Sequence, residues 1–545
     1  MKPLKKLSFG LAATALLSGS AFAQTIVHVV GSTAFRPGAT AAIIDVLNGS
    51  SVSNIVQCGF VGTSTATVPL NAGEAIFANG TLSGGATTPV GNPGVGTATI
   101  VVETYWTGSL AGVVDVSLGN ATGTFLDFQG THLTPAQIDA INNSTAIGSS
   151  NQYGGTISTS GVSSYPANST QAIFATSGTG SGVVTLVPEA ADMALSDTDV
   201  NTIANELYAG SLNSSGGYTS IPAQGSFPGQ PAVGQPGSPY YANPQALANN
   251  LSSLVTEAGS TSATAGYVGI VPFVWASDVA GSSIATNMTQ LTALSLLTTG
   301  YIPQAAFTGT TTNSGDLTNY FYLVGRNEDS GTRIGAVTES QYSLTSSPHQ
   351  YAIPGVAIPE PTFSSPSTTV TPTAYEKFPA KTPLNTEPSI VFGTAAAQSG
   401  YASGGNVGTA LKTTATSFTF ATSNGGKAAK NSGSSYLIGY IGIADVQTAL
   451  IAGAKEMTYN GVPYTVPNVQ SGAYTFWGYE HAYRNTAAGT GPVQAFIDSV
   501  ADEIYTTDAN VSVQQGGADT GSTASGILPS TVKANIASPG GPLTY

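Results

Sequence analysis

The sequence predicts an α/β protein with more than one core, carrying long polar insertions. Three observations predict it. Apolar strand-like runs alternate with helix-like runs, which argues for mainly parallel sheets with helices on their faces. At 545 residues the chain can build two or more cores. Between these islands lie aperiodic stretches, at roughly 60–95, 120–190, 210–242, 344–385 and 510–545, rich in Gly, Ser, Thr and Pro. They read as long polar loop or β-rich insertion on a smaller scaffold.

The islands come in order. "TIVHVVGST" (25–33) alternates as a strand, and "PGATAAIIDVLN" (37–48) follows as a helix with Pro37 suited to its first turn. "TATIVVETYWT" (97–107) is a second strand, leading through Gly108-Ser109 into the short apolar helix "LAGVVDVSLG". "ADMALSDTD" (191–199) is a short strand ending in polar residues, and "NPQALANNLSSLVTEA" (243–258) has helical periodicity. "AGYVGIVPFVWAS" (265–277) is a continuous apolar run, as a strand buried on both faces would be. "NMTQLTALSLLTTG" (287–300) is a helix with a Gly stop. "NYFYLVGRN" (319–327) and "TRIGAVTESQY" are strand then helix, as is "SYLIGYIGIADVQTAL" (435–450), and "GPVQAFIDSVADEIYTT" (491–507) is a late amphipathic helix.

Composition excludes several function classes. The first residues, "MKPLKKLSFGLAATALLSGSAFA", show the charged start, apolar centre and Ala-Phe-Ala end of a secretory signal, placing the mature start at Gln24 and the protein in the periplasm or outside the cell. No cysteine follows that site to carry a lipid, and no later run has the eighteen or so apolar residues of a membrane span. The lone Cys58 reads as a structural thiol, and His28, His132, His349 and His481 share no metal-ligand spacing, so neither a metal nor another cofactor is expected. A formal net charge of −14, more negative once the signal lysines are removed, argues against a nucleic-acid partner. It does not prevent anion binding, because local backbone dipoles act at short range.

Parallel α/β sheets place ligands at strand C-termini beside helix N-termini. Four such turns share one chemistry: "GSTAFRP", "TGSLAG", "LSDTD" and "RNEDSGTR". Each offers small or hydroxyl residues where a helix begins, and first-turn N–H groups there lack intrahelical acceptors. Arg326 adds a planar donor fork suited to a tetrahedral oxyanion. Any one of these turns also reads as an ordinary helix cap, worth about 1 kcal/mol. Glu328 and Asp329 are expected to point away from an anion.

Taken in order, these segments resemble the periplasmic phosphate-binding proteins of bacterial ABC uptake systems. "RNEDSGTR" resembles that family's Arg-x-x-x-Ser-Gly-Thr loop, and "TYWTGSLAGVVDV", "ADMALSD", "YVGIVPFVW", "MTQLTALSLLTTG", "YLIGYIGIADV" and "NVQSGAYTFWGYEHAYRN" resemble further segments in the same sequence order. The resemblance implies a two-lobed periplasmic binding protein fold of type 2 with a hinge. It implies a first lobe over 24–260, a second over 261–450, a return to the first over 451–510, and a polar tail from 511 to 545. It implies that Arg326, Ser330, Gly331 and Thr332 hold phosphate oxygens from one lobe, and that the Ala34-Phe35 turn and Ser109 do so from the other. Asp197 would accept a hydrogen bond from a protonated phosphate, since an ionised carboxylate only accepts. Ala34 departs from the Thr or Ser usual there; either Thr33 or Ser32 compensates or one contact is lost.

The leading expectation is therefore an extracytoplasmic binding protein for inorganic phosphate, with an ABC permease as partner and no catalytic residues. The alternative is a secreted or surface structural protein that keeps the scaffold without transport. An enzyme is not expected: there is no nucleophile elbow and no trustworthy Ser/His/Asp spacing.

Overall fold

The structure, a computed structural model, describes residues 25–48, 56–62, 74–78, 100–106, 108–119, 121–127, 170–175, 185–204, 244–260, 265–326, 330–344, 348–352, 374–377, 391–392, 395–396, 400–401, 403–416, 419–420, 433–488, 491–510, 512–514, 522–536 and 540–545. The proposed signal sequence, His132, Glu328 and Asp329 lie outside the described residues, as does the side chain of Cys58.

The main sheet has thirteen strands. In chain order they are β1 (Thr25–Gly31), β2 (Val56–Gly62), β3 (Glu74–Ala78), β4 (Ile100–Tyr105), β5 (Thr170–Ala175), β6 (Met193–Ser196), β7 (Val255–Glu257), β8 (Gly269–Ser277), β9 (Tyr301–Pro303), β10 (Tyr320–Val324), β11 (Ser435–Gly442), β12 (Lys455–Glu456) and β13 (Trp477–Asn485). Their spatial order is β9-β10-β11-β8-β13-β6-β1-β4-β3-β2-β5, with β12 beside β8 and β7 beside β13. The helices used below are α1 (Arg36–Asn48), α2 (Ser109–Leu118), α3 (Pro244–Leu254), α4 (Gln290–Thr299), α5 (Gly331–Glu339), α6 (Gly404–Leu411), α7 (Ile443–Ile451) and α8 (Pro492–Thr506).

The α/β class is as expected, but the sheet is mixed rather than mainly parallel. β1 runs parallel to β4 and β6, and β10 parallel to β11. Two long strands cross the middle and run antiparallel to their neighbours. In β8, Gly269–Pro272 pair with β13, while Phe273–Ser277 pair with β11. In β13, Trp477–Glu480 pair with β8, while His481–Arg484 pair with β6. Each crossing strand therefore belongs to one half of the sheet at one end and to the other half at the other.

Local chemistry explains why these residues form these elements. All nine residues of β8 and all eight of β11 are buried, which is why they read as unbroken apolar runs. Trp275 lies edge-on to Tyr440 and stacks on Phe476, filling the centre of that half. α4 starts where the Thr289 side chain accepts from the Thr292 N–H and stops at left-handed Gly300, as the Gly stop predicts. α3 is shorter than its periodicity suggested. It ends at Leu254, and Val255–Glu257 instead pair with Tyr483–Asn485, because an open edge of β13 offers a ladder to a β-branched pair.

Some of the aperiodic stretches also join the architecture. β3 and β5 extend the main sheet, and Ala121–Asp127 pairs antiparallel with Thr185–Ala190 across the longest of these stretches. Near the C-terminus, Ile527 is buried and exchanges backbone hydrogen bonds with Ile270 of β8.

One half-buried carboxyl gives stability a pH dependence. Burial raises Glu339 from its ordinary 4.5 to about 7, with hydrogen bonds from Thr475 and Tyr459 opposing the rise. The folded state thus holds a proton that the unfolded chain has lost. That stabilising contribution is complete below about pH 4.5 and lost progressively as pH rises to about 7. Glu339→Gln is expected to flatten the decline of melting temperature over this interval; an unchanged profile would show that Glu339 does not carry it.

Candidate functional site

Three of the four turns are placed together by neighbouring parallel strands. β1, β4 and β6 end at the same edge, and backbone hydrogen bonds bind their turns: Ser32 N–H donates to Leu195 O at 2.8 Å, and Gly108 N–H to Gly31 O at 2.8 Å. Close approach requires glycine at two points. Gly31 has φ +122°, and a Cβ on it would lie 1.9 Å from Leu195 O. A Cβ on Gly112 would lie 2.6 Å from the Gly31 Cα, so α2 packs directly on the end of β1.

The fourth turn arrives from the other half of the sheet, at the end of β10. It meets the first three through side chains. Arg326 Nη1 donates to Thr33 Oγ1 at 2.8 Å, and Thr332 Oγ1 donates to Asp197 Oδ2 at 3.2 Å. Ser109 Oγ donates to Asp197 Oδ1 and accepts from the Asp197 N–H at 3.2 Å. Gly331 opens α5 against this carboxylate: a Cβ there would lie 1.7 Å from Asp197 Oδ1 and 2.7 Å from Ser109 Oγ. Asp197 thus lies between the first residue of α2 and the first turn of α5, where unpaired amides and helix dipoles favour negative charge.

All eight residues expected to hold the anion are buried. Ser109, Thr332 and Gly331 gather on Asp197, while Arg326 holds Thr33 and reaches that group through the attraction of its charge for Asp197. Ser330 borders it, and its Oγ accepts from the Arg333 N–H at 3.3 Å as the cap of α5. Ala34 faces the start of α7, with its Cβ 3.0 Å from where a Gly442 Cβ would stand. The Phe35 ring packs away from the polar group, within 3.0 Å of where Cβ atoms of Gly269 and Gly526 would stand. The cap role that competed for Asp197 falls to Asp199 instead, whose Oδ1 accepts from the N–H groups of Asn201 and Thr202, each at 3.0 Å.

Arg326 is 1% exposed and held on several sides. Its Nε donates to Tyr401 O at 3.2 Å, and its own carbonyl accepts from Gln350 Nε2 at 3.0 Å and from Arg333 Nη1 at 3.4 Å. The Tyr440 hydroxyl donates to Gln350 Oε1 at 2.6 Å, and burial pushes its pKa up to about 12. A guanidinium fixed this way loses little further freedom on meeting an anion. Arg36 lies 3.8 Å from Asp445, also buried, so this turn adds a second positive charge that is already paired.

Burial raises the Asp197 carboxyl above its ordinary range; the Ser109 hydroxyl, the Arg326 charge and the Thr332 hydroxyl oppose the rise. Glu480, on β13, is fully buried, and neither of its oxygens has a hydrogen-bond partner among the described residues. Burial lifts it well above the usual carboxylate range, and the charges of Asp197 and Glu257 lift it further. Sequence reasoning missed Gln350, Tyr401 and Tyr440, because their partner Arg326 is distant along the chain, and Glu480, whose burial beside Asp197 and Glu257 only the fold brings about. The turn "SGYASGGN" before α6 held a legible signal: Ser403 caps α6, and buried Asn406 has no side-chain partner among the described residues.

The fold and these contacts define an α/β protein whose two sheet halves meet at a small buried group of one cation, hydroxyls and an acidic acceptor. No family model matches the chain, and no curated protein matches it. Among solved structures, the chain is similar to a protein from Clostridium perfringens with bound phosphate, described as a phosphate ABC transporter substrate-binding protein: 10% identity and a TM-score of 0.36 over 89% of this chain and 98% of that one. It is similar to PstS from Borrelia burgdorferi, at 11% identity and a TM-score of 0.28 over 90% and 96%. It is also similar to an ABC-type phosphate transport receptor from Vibrio cholerae, at 10% identity and a TM-score of 0.29 over 87% and 93%. Among the described residues no helix is long and apolar enough to cross a membrane.

Proposed function

We propose that this chain is an extracytoplasmic binding protein that takes inorganic phosphate between its two sheet halves and presents it to an ABC permease. The observation that carries this reading is the pair of contacts joining the halves, Arg326 to Thr33 and Thr332 to Asp197, with Ser109 bound to the same carboxylate from its own half. Hydroxyls and first-turn amides of this kind serve a tetrahedral oxyanion, and the guanidinium supplies its countercharge. The Ser109 and Thr332 hydroxyls donate to Asp197. On meeting an anion they would turn to its oxygens, and Asp197 would accept the proton the anion still carries. The Ala34-Phe35 turn, Ser330 and Gly331 would contribute backbone donors. The anion would add further contacts spanning the halves and so favour the arrangement in which they meet.

Calorimetric titration with phosphate, arsenate and sulfate tests the reading. Phosphate and arsenate are expected to bind with similar enthalpy and sulfate far more weakly, because sulfate carries no proton for Asp197 at neutral pH and is repelled by its charge. Asp197→Asn offers a donor in place of the acceptor, and is expected to narrow the phosphate-over-sulfate preference at least about tenfold. An unaltered preference would remove Asp197 from the role. A structural protein that merely keeps the scaffold would give no heat with any of the three anions and no phosphate-dependent rise in melting temperature.

A further inference from the structure

We infer that Asp45, Glu503 and Asp508 form a binding site for one hard divalent cation, calcium, at the seam between α1 and α8. The three carboxylates come from three places: the C-terminal half of α1, the last turn of α8, and the short 3-10 turn Asp508–Asn510 that follows. One oxygen from each lies within 4.8 Å of the other two. Oxygens bound to one calcium at about 2.3–2.6 Å stand up to about 5 Å apart, so the spacing is that of ligands sharing an ion.

A second observation is independent of the clustering. Glu503 is 2% exposed and Asp508 8% exposed, yet Glu503 Oε2 and Asp508 Oδ2 have no hydrogen-bond partner among the described residues. Buried carboxylate oxygens without partners are costly, and more so beside like charges. No ion pair to any of the three is found among the described residues. Burial raises all three carboxyls. Asp508 reaches about 8, with the charges of Asp45 and Glu503 adding to the effect of burial. A divalent cation would satisfy the orphan oxygens and cancel the repulsion together.

The donors are all oxygen, with no imidazole or thiolate, which favours calcium or magnesium over zinc or copper. Magnesium demands a tighter octahedron and keeps more water, whereas a partly buried carboxylate trio suits calcium's larger, more flexible shell. Cysteine and histidine spacing cannot reveal such a site, because its ligands are common acids 458 to 463 positions apart from Asp45. The site would tie the C-terminal half of α1 to α8. The N-terminus of α1 adjoins the Thr33–Phe35 turn, so the ion would brace the helix behind that turn.

The test uses purified protein stripped with EDTA, dialysed, and melted with increasing CaCl2 or MgCl2, alongside calorimetric titration with CaCl2. We expect a saturable calcium-dependent rise in melting temperature, one ion per chain, and half-saturation at or below about 1 mM, as for extracellular modules. Asp508→Asn and Asp45→Asn are expected to abolish the rise while melting no lower than the parent in EDTA, since each relieves repulsion. Two variants are specified so that a folding failure in one leaves the other to decide. The inference is overturned by the absence of heat and of any rise up to about 10 mM of either salt. It is also overturned by an undiminished rise in both variants, or by a response to magnesium alone.

Discussion

Arg326→Ala is expected to weaken phosphate binding roughly 30- to 1000-fold in calorimetric titration, a loss of about 2–4 kcal/mol. The size follows from burial. Arg326 is 1% exposed, sits on the far half of the sheet from Thr33, and bonds to it at 2.8 Å. Its removal takes away the charge that the anion would meet and the bond that joins two of the turns. Arg326→Lys should recover only part of the loss, because a point-like ammonium cannot bond Tyr401 O and a second acceptor with the planar fork's geometry. Full affinity in the alanine variant would sink the proposed site.

Gly31→Ala is expected to be the most damaging single change to stability. A Cβ at Gly31 would stand 1.9 Å from Leu195 O in a backbone conformation with φ +122° that side chains rarely adopt. Relief requires β1 and β6 to part just where Ser32 N–H donates to Leu195 O. The cost is about 3 kcal/mol or more, read as a melting temperature lowered by several degrees with phosphate affinity reduced alongside it. A variant as stable as the parent would mean that the turn has slack that the packing does not show.

Much of this was legible in the sequence, for identifiable reasons. β8 and β11 are buried along their whole length, so they had to be continuous apolar runs. The four turns carry their signal locally, as small and hydroxyl residues at helix starts; three of them meet at Asp197, and the first reaches Arg326 through Thr33. Elsewhere the determinants are not local. Val255–Glu257 look helical by period and become a strand only because the β13 edge is available. β3 and β5 sit in low-complexity stretches whose pairing depends on partners that the pattern does not reveal. The sequence leaves open whether Thr33 or Ser32 compensates for Ala34 or one contact is lost. In the structure Thr33 is the hydroxyl that reaches Arg326, while buried Ser32 Oγ has no partner among the described residues. Tyr401, Gln350 and Tyr440 brace Arg326 from 24 to 114 positions away, a distance at which spacing carries no information.

The two crossing strands constrain any motion between the halves. Because β8 and β13 pair with each other through Gly269–Pro272 and Trp477–Glu480, the junction is a hydrogen-bonded ladder rather than a pair of free tethers. Opening by a swivel would have to break that ladder; opening by torsion along the strands would leave it intact. Amide protons at the junction should exchange slowly whether or not an anion is present, while those of the turns at 108–110 and 330–333 respond to it.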